Sequence, residues 1–202
     1  QYFRMTISQI EDFRGPVVSV TKGIEFQTGL TMSGILEELL PRCQPVALSG
    51  PSLATEVARG VPTAVVAASH SQEMAQLAQD TFHSPAFRVY SSADVLGVEL
   101  GGALKKIIAI AAGICDGIGF GSNSKAALMT RAIVEIRRLG VAMGAEADTF
   151  SGLSGLGDLM VTCFSPLSRN HSVGERLGKG EKLDEILASM SAVAEGVPTS
   201  AS

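Results

Sequence analysis

Residues 87–118 read FRVYSSADVLGVELGGALKKIIAIAAGICDGI, and the reading of the fold turns on them. Phe87-Arg88-Val89-Tyr90 is a short β-branched and aromatic run that suits a strand. From Ser92 the extended pattern stops. Leu96 to Ile118 carries Gly101, Gly102, Ala103, Ala109, Ala111, Ala112 and Gly113 and is apolar almost all round in its middle. A helix of that kind belongs inside an all-α core, where small side chains let neighbouring backbones approach. A change of fold class is expected near residue 92.

Upstream, strands and helices alternate. Pro16 to Thr21, Val46 to Ser49 and Thr63 to Ala68 read as strands. Thr31 to Leu40 reads as a helix with Met32, Ile35, Leu36, Leu39 and Leu40 on one face and Pro41 beyond its end. Ser52 is expected to cap a short helix to about Arg59. Ser69 and Gln72 are expected to form a capping box for a helix to Phe82, buried along Met74, Leu77, Ala78 and Phe82. This order predicts half of an α/β sheet, with apolar strands covered on both faces. Downstream, a helix capped by Ser122 or Asn123 is expected to run to about Met143. Met129, Ile133, Ile136 and Gly140 lie on one face, with Leu128, Ala132, Leu139 and Met143 beside it.

The chain has 202 residues, 46% of them apolar and 18% charged, enough to bury a sizeable core. A net charge of −4 argues against a nucleic-acid binder. Cys43, Cys115 and Cys163 are far apart and make no C-x-x-C pair, so a reducing cytoplasm is expected. His70, His83 and His171 are equally scattered and give no metal-ligand pattern. The longest uncharged apolar run, Ile107 to Cys115, is about half the ~20 residues that span a bilayer. The chain opens on Gln1 without an initiator Met or a signal-peptide pattern and closes on a Ser/Ala stretch, as trimming, an expression boundary or a fragment would each leave it.

Several residues could carry chemistry. The glycine-rich run from Gly117 to Gly121 follows a helix and lacks the strand–turn–helix setting of a phosphate loop, so an interhelical turn is expected. No complete dinucleotide fingerprint appears. Ser49-Gly50-Pro51-Ser52 closes a strand and opens a helix, the place where α/β sheets hold anions or simply turn. Lys22, also after a strand, faces either water or an anionic ligand. Lys105 and Lys106 are the only charges between Glu99 and Asp116. They diverge by about 100° on a helix and cannot share one environment. If Lys105 points inward, desolvation lowers its pKa towards neutrality; the other reading is snorkelling to the surface. Asp158 interrupts an apolar stretch, with Thr162 one turn later. Ser168-Arg169-Asn170 gathers neutral donors beside a guanidinium. Together these residues point to a site for a small phosphorylated molecule.

In order and spacing these segments resemble the bacterial type of NAD(P)-dependent glycerol-3-phosphate dehydrogenase. The matching stretches are VTKGIE (20–25), LSGPSLATEV (48–57), GVELGGALK (97–105), DGIGFG (116–121), GLGDL (155–159), Thr162-Cys163, Ser168-Arg169-Asn170 and VAEG (193–196). The resemblance implies a partial Rossmann-like doubly wound sheet over residues 1–92. It implies a helical domain of the 6-phosphogluconate-dehydrogenase C-terminal-like type over 93–202. The implied activity is reversible reduction of dihydroxyacetone phosphate to sn-glycerol 3-phosphate, with NAD or NADP as cofactor and without a metal. Catalytic positions carried over are Lys105, Asp158 and Lys22. Those for substrate are Lys22, Gly50, Ser52, Lys105, Asp158, Thr162, Ser168, Arg169 and Asn170. Those for cofactor are Lys22, Ala54, Arg169, Val193 and Glu195. Lys106 departs from the pattern, because many members carry Asn there. The family's glycine-rich βαβ unit and its last helices have no counterpart in the sequence. A non-catalytic fragment, or another dehydrogenase of the same fold, are the alternative readings. Partners expected are the phosphorylated substrate and further copies of the chain, with no nucleic acid and no transmembrane segment.

Overall fold

The computed structural model describes residues 2–190 and 193–200. Four strands, β1 (Pro16–Ser19), β2 (Gln44–Ser49), β3 (Thr63–Ala68) and β4 (Phe87–Ser92), lie side by side in chain order. β1 runs parallel to β2 and β3 parallel to β4, while β2 and β3 are antiparallel. The antiparallel junction follows from its connection. Between β2 and β3 the only helix is α3 (Ala54–Val57), one turn long, too short to carry the chain back along the sheet as a parallel crossover requires.

Alternation along the strands sorts side chains to two faces. Val46, Leu48, Val65, Ala67 and Val89 pack on Met74 and Ala78 of α4 (Gln72–Phe82). Ala47 and Ala68 face Val95 and Val98 of α5 (Val95–Gly117). Both faces are covered, as expected. A helix at the start, α1 (Tyr2–Ile7), joins α2 (Met32–Leu39) in a small cluster of Ile7, Leu36 and Leu40, against which Val17 of β1 packs.

Several local expectations give way. Ser52 caps nothing; its hydroxyl donates to the Gly50 carbonyl, and Leu53 precedes α3. Ser71, not Ser69, caps α4 by accepting from the Met74 amide; the Ser69 hydroxyl donates to the Pro45 carbonyl and accepts from the Ser71 amide, just before the helix. Leu77 and Phe82 are exposed; the helix buries only the narrow stripe of Met74, Ala75 and Ala78. Val20 is exposed, since β1 stops at Ser19.

α5 is the axis of the second half. Around it lie α6 (Ser122–Ala142), α7 (Asp158–Phe164), α8 (Arg169–Gly178) and α10 (Gly196–Ser200), and α9 (Leu183–Ser189) packs on α8. Gly121 precedes α6 without a side-chain cap, and Leu139 and Met143 are exposed. The α5–α8 contact is backbone on backbone. A Cβ on Gly113 would stand 2.0 Å from the His171 carbonyl oxygen, and one on Gly174 would stand 2.0 Å from that of Ile110. Gly117 and Gly178 repeat the arrangement a turn later. The run from Gly117 to Gly121 is the turn between α5 and α6, as expected. Among the described residues no helix is long and apolar enough to cross a membrane.

Candidate active site

The packing of α5 and α8 sets the site. It holds Lys105, two turns before Gly113, beside α7, and it brings the start of α8 to a cavity shared with the segment after β1. Lys105 is buried. Its ammonium donates to Asp158 Oδ1 at 2.5 Å and to Thr162 Oγ1 at 2.8 Å. Thr162 in turn donates to the Asp158 carbonyl at 2.6 Å, so its lone pairs are turned towards the lysine. That pair lies one turn apart on α7, the spacing seen in the sequence. A π-helical turn, Leu153–Gly157, runs directly into Asp158, and such turns recur at functional sites. Gly101 of α5 admits it: a Cβ there would lie 2.5 Å from the Ser154 carbonyl oxygen.

Asp158 is 1% exposed and serves two cations. Its Oδ2 accepts from Lys22 Nζ at 2.7 Å, and Lys22 also donates to the Gly50 carbonyl at 3.0 Å. Gly50 has φ +146, and a Cβ there would meet Val65 Cα at 2.9 Å; only glycine turns the chain so close to β3. Burial pushes the Lys105 ammonium down to a pKa of about 8, helped by the nearby Lys22 charge and opposed by Asp158; Lys106 adds a smaller push downward. The inward orientation of Lys105 is thus the one realised. Cys163, on α7 with Asp158, is buried, and burial pushes its thiol up to about 12.

Above these groups opens a cavity of about 400 Å³. Lys22, Lys105 and Thr162 form its floor, Ser168, Arg169 and Asn170 one wall, and Val193 and Glu195 the rim. Ser168 caps α8 by accepting from the His171 amide. The start of that helix therefore faces the cavity, where its partial positive charge favours an anion. Arg169 is exposed and has no hydrogen-bond or ion-pair partner among the described residues. Asn170 is partly spent, because its Oδ1 accepts from the Gly196 amide at 2.8 Å. Ser52 and Ala54 lie apart, in an adjoining cavity of about 340 Å³ that shares Val20 and Lys22 with the first.

Sequence reasoning missed the part of Lys106. It too is buried and lines the cavity, donating to the Lys22 carbonyl at 2.5 Å and pairing with Glu195. Neighbouring helix positions do diverge, and the two lysines have separate partners, yet the cavity is broad enough to collect both. A basic residue inside the most apolar helix was the available signal. Four cations (Lys22, Lys105, Lys106 and Arg169) thus stand against two carboxylates (Asp158 and Glu195). The formal surplus is two positive charges, matching a phosphate monoester dianion. No group of His, Cys, Asp and Glu among the described residues is placed to hold a metal.

Comparison with known proteins gives a consistent picture. Residues 1–75 match the family model for the NAD-dependent glycerol-3-phosphate dehydrogenase N-terminus, and residues 94–202 match that for its C-terminus. A glycerol-3-phosphate dehydrogenase (NAD(P)+) of Citrifermentans bemidjiense is 57% identical over 189 residues, covering 92% of this chain and 56% of that protein. One of Chlorobium limicola is 52% identical over 206 residues, covering 99% and 62%. The crystal structure of glycerol-3-phosphate dehydrogenase from Coxiella burnetii superposes with a TM-score of 0.94 at 38% identity, over 98% of this chain and 62% of that one. The chain spans a little over half the length of the curated relatives it matches.

Proposed function

The chain belongs to the NAD-dependent glycerol-3-phosphate dehydrogenase family, and from that premise we propose that its cavity binds dihydroxyacetone phosphate and sn-glycerol 3-phosphate and supports their interconversion. The observation that carries this reading is one buried carboxylate, Asp158, holding both Lys22 and Lys105 beneath a cavity with surplus positive charge. The surplus suits the phosphate. Arg169 and the start of α8 supply its donors.

The cofactor of this reading is NAD or NADP. The residues assigned to it border two adjoining cavities that share Val20 and Lys22, which fits the reacting end of a dinucleotide. The described residues hold no strand–glycine-loop–helix cradle for a pyrophosphate. When bound, the cofactor supplies the hydride that attaches to the substrate carbonyl carbon. Everything else falls to the chain. Two N–H groups of Lys105 are committed to Asp158 and Thr162, leaving the third for the substrate oxygen. As the carbonyl π pair moves onto oxygen, Lys105 passes it that proton and becomes the neutral amine. Such proton transfer contributes about 10²–10⁴-fold. Lys22 then keeps Asp158 paired, so the buried carboxylate is never stranded without a cation.

Under this proposal residues 1–92 are the latter part of the dinucleotide domain and 93–202 the helical catalytic domain. The protein works in the cytoplasm. Exposed Leu139, Val141 and Met143 at the end of α6 suit self-association. A second reading is favoured by the share of its relatives that the chain spans: it binds the substrate without turning it over. Adding dihydroxyacetone phosphate to the chain with NADH or NADPH, against dihydroxyacetone as control, tests both. Nicotinamide oxidation with the phosphate ester alone is the expected result. Calorimetric binding of the ester without turnover supports the second reading, and neither binding nor turnover overturns both.

A further inference from the structure

We propose that Lys106 is an anion-binding residue of this cavity whose place is held by Glu195, so that the carboxylate gives way to the phosphate of an incoming ligand. The inference rests on the phosphate-ester reading above and adds to it a built-in competitor.

The two partners of the pair are unlike. The Lys106 side chain is 7% exposed and that of Glu195 is 54%. Lys106 is also held from behind by the Lys22 carbonyl at 2.5 Å, so its ammonium cannot leave without abandoning that acceptor. Glu195 needs only to rotate towards solvent. Its backbone need not move: the Gly196 amide is tied to Asn170, and a Cβ on Gly196 would lie 2.8 Å from the Lys106 carbonyl oxygen. That segment is seated on α5 and α8 while the carboxylate stays free to turn.

Departure of Glu195 alone would strand a buried cation, which is strongly unfavourable. An arriving phosphate oxygen removes the penalty by taking the same N–H. Lys105, Lys106 and Arg169 line one cavity, so one phosphate ester placed there meets all three. The carboxylate then acts as an internal ligand, and apparent affinity falls by the fraction of molecules in which it is seated. An uncharged ligand gains nothing by displacing it. The pair thus selects for anionic ligands as well as taxing them.

The test is calorimetric titration of the chain with inorganic phosphate, glycerol 3-phosphate and glycerol. It compares the parent chain, Glu195→Gln, Lys106→Gln and the double variant, each checked for folding by circular dichroism. Glu195→Gln should tighten both phosphate compounds by about tenfold, and Lys106→Gln should weaken them by a similar factor. In the Lys106→Gln background, Glu195→Gln should have no effect, and glycerol should respond to neither change. Lys106→Arg, which keeps the charge, should retain most of the affinity. Unchanged or weaker phosphate binding by Glu195→Gln overturns the proposal, as does a gain that persists without Lys106. Equal binding by all forms removes the competitor and leaves the phosphate-ester reading standing; binding by none overturns both.

Discussion

The sheet half and the helical half supply the cavity in different ways. From the sheet come Lys22 and Gly50, both on segments that follow strand ends, and the backbone there works as hard as the side chains. The carbonyls of Lys22 and Gly50 each accept from an ammonium. From the helices come Lys105, Asp158, Thr162 and Ser168, all buried and fixed by helices in van der Waals contact. Rigid charge is installed where glycine lets backbones touch, and reach comes from loops. The halves meet at one carboxylate, with Oδ1 serving the helical lysine and Oδ2 the sheet lysine.

Breaking that meeting point should have the largest effect. Asp158→Asn removes the anion from two cations at once. Breaking a buried pair in this way costs about 3–5 kcal/mol, measurable by chemical denaturation. Turnover by the active form should fall by about 10³-fold. If Asp158→Asn is no worse on either measure than Lys22→Met, the shared carboxylate is not what joins the halves. A smaller effect is expected from Gly174→Ala, whose Cβ would stand 2.0 Å from the Ile110 carbonyl oxygen. The crowding should cost about 1–3 kcal/mol. Gly23→Ala, in a sheet-side loop with nothing within 4 Å, should stay within about 0.5 kcal/mol. Equal costs at Gly174 and Gly23 would erase the contrast between touching helices and open loops.

The same contrast explains what the amino-acid order made legible. Helix α5 could be read because it is long and small-residue rich, and its pattern fixed the change of class near residue 92. The four strands and both covered faces followed from alternation. Strand direction did not, since it depends on how far α3 extends, and a one-turn helix leaves little periodicity to read. Caps were misplaced by two residues at α4, where Ser69 and Ser71 are chemically equivalent and only the fold sets Ser69 between the Pro45 carbonyl and the Ser71 amide. In the site, Asp158 and Thr162 could be paired because one helical turn joins them. Lys22 could be named only as a lysine after a strand, for its partner lies 136 positions away. Lys106 escaped because helical divergence is a statement about directions, and a cavity can span two of them.

The finest test of the comparison is the titration of Lys105, because the two halves push it in opposite directions. Burial does most to bring its pKa from 10.5 to about 8; the Lys22 charge adds to the fall, and Asp158 opposes it. Lys22→Met removes a sheet-side cation and should move the transition up in pH, whereas Asp158→Asn removes a helix-side anion and should move it down. Magnetic resonance of isotope-labelled lysine side chains reads this directly and requires no turnover. In the active form the sign follows from the protonation states. Under the proposed reaction, reduction uses the ammonium, present below the pKa, so its rate should fall as pH rises through about 8, while oxidation uses the amine and should rise over the same interval. Lys22→Met should carry both limbs to higher pH. An unmoved titration in both variants would mean that burial alone sets the lysine, and that the carboxylate joining the two halves holds geometry without tuning the proton.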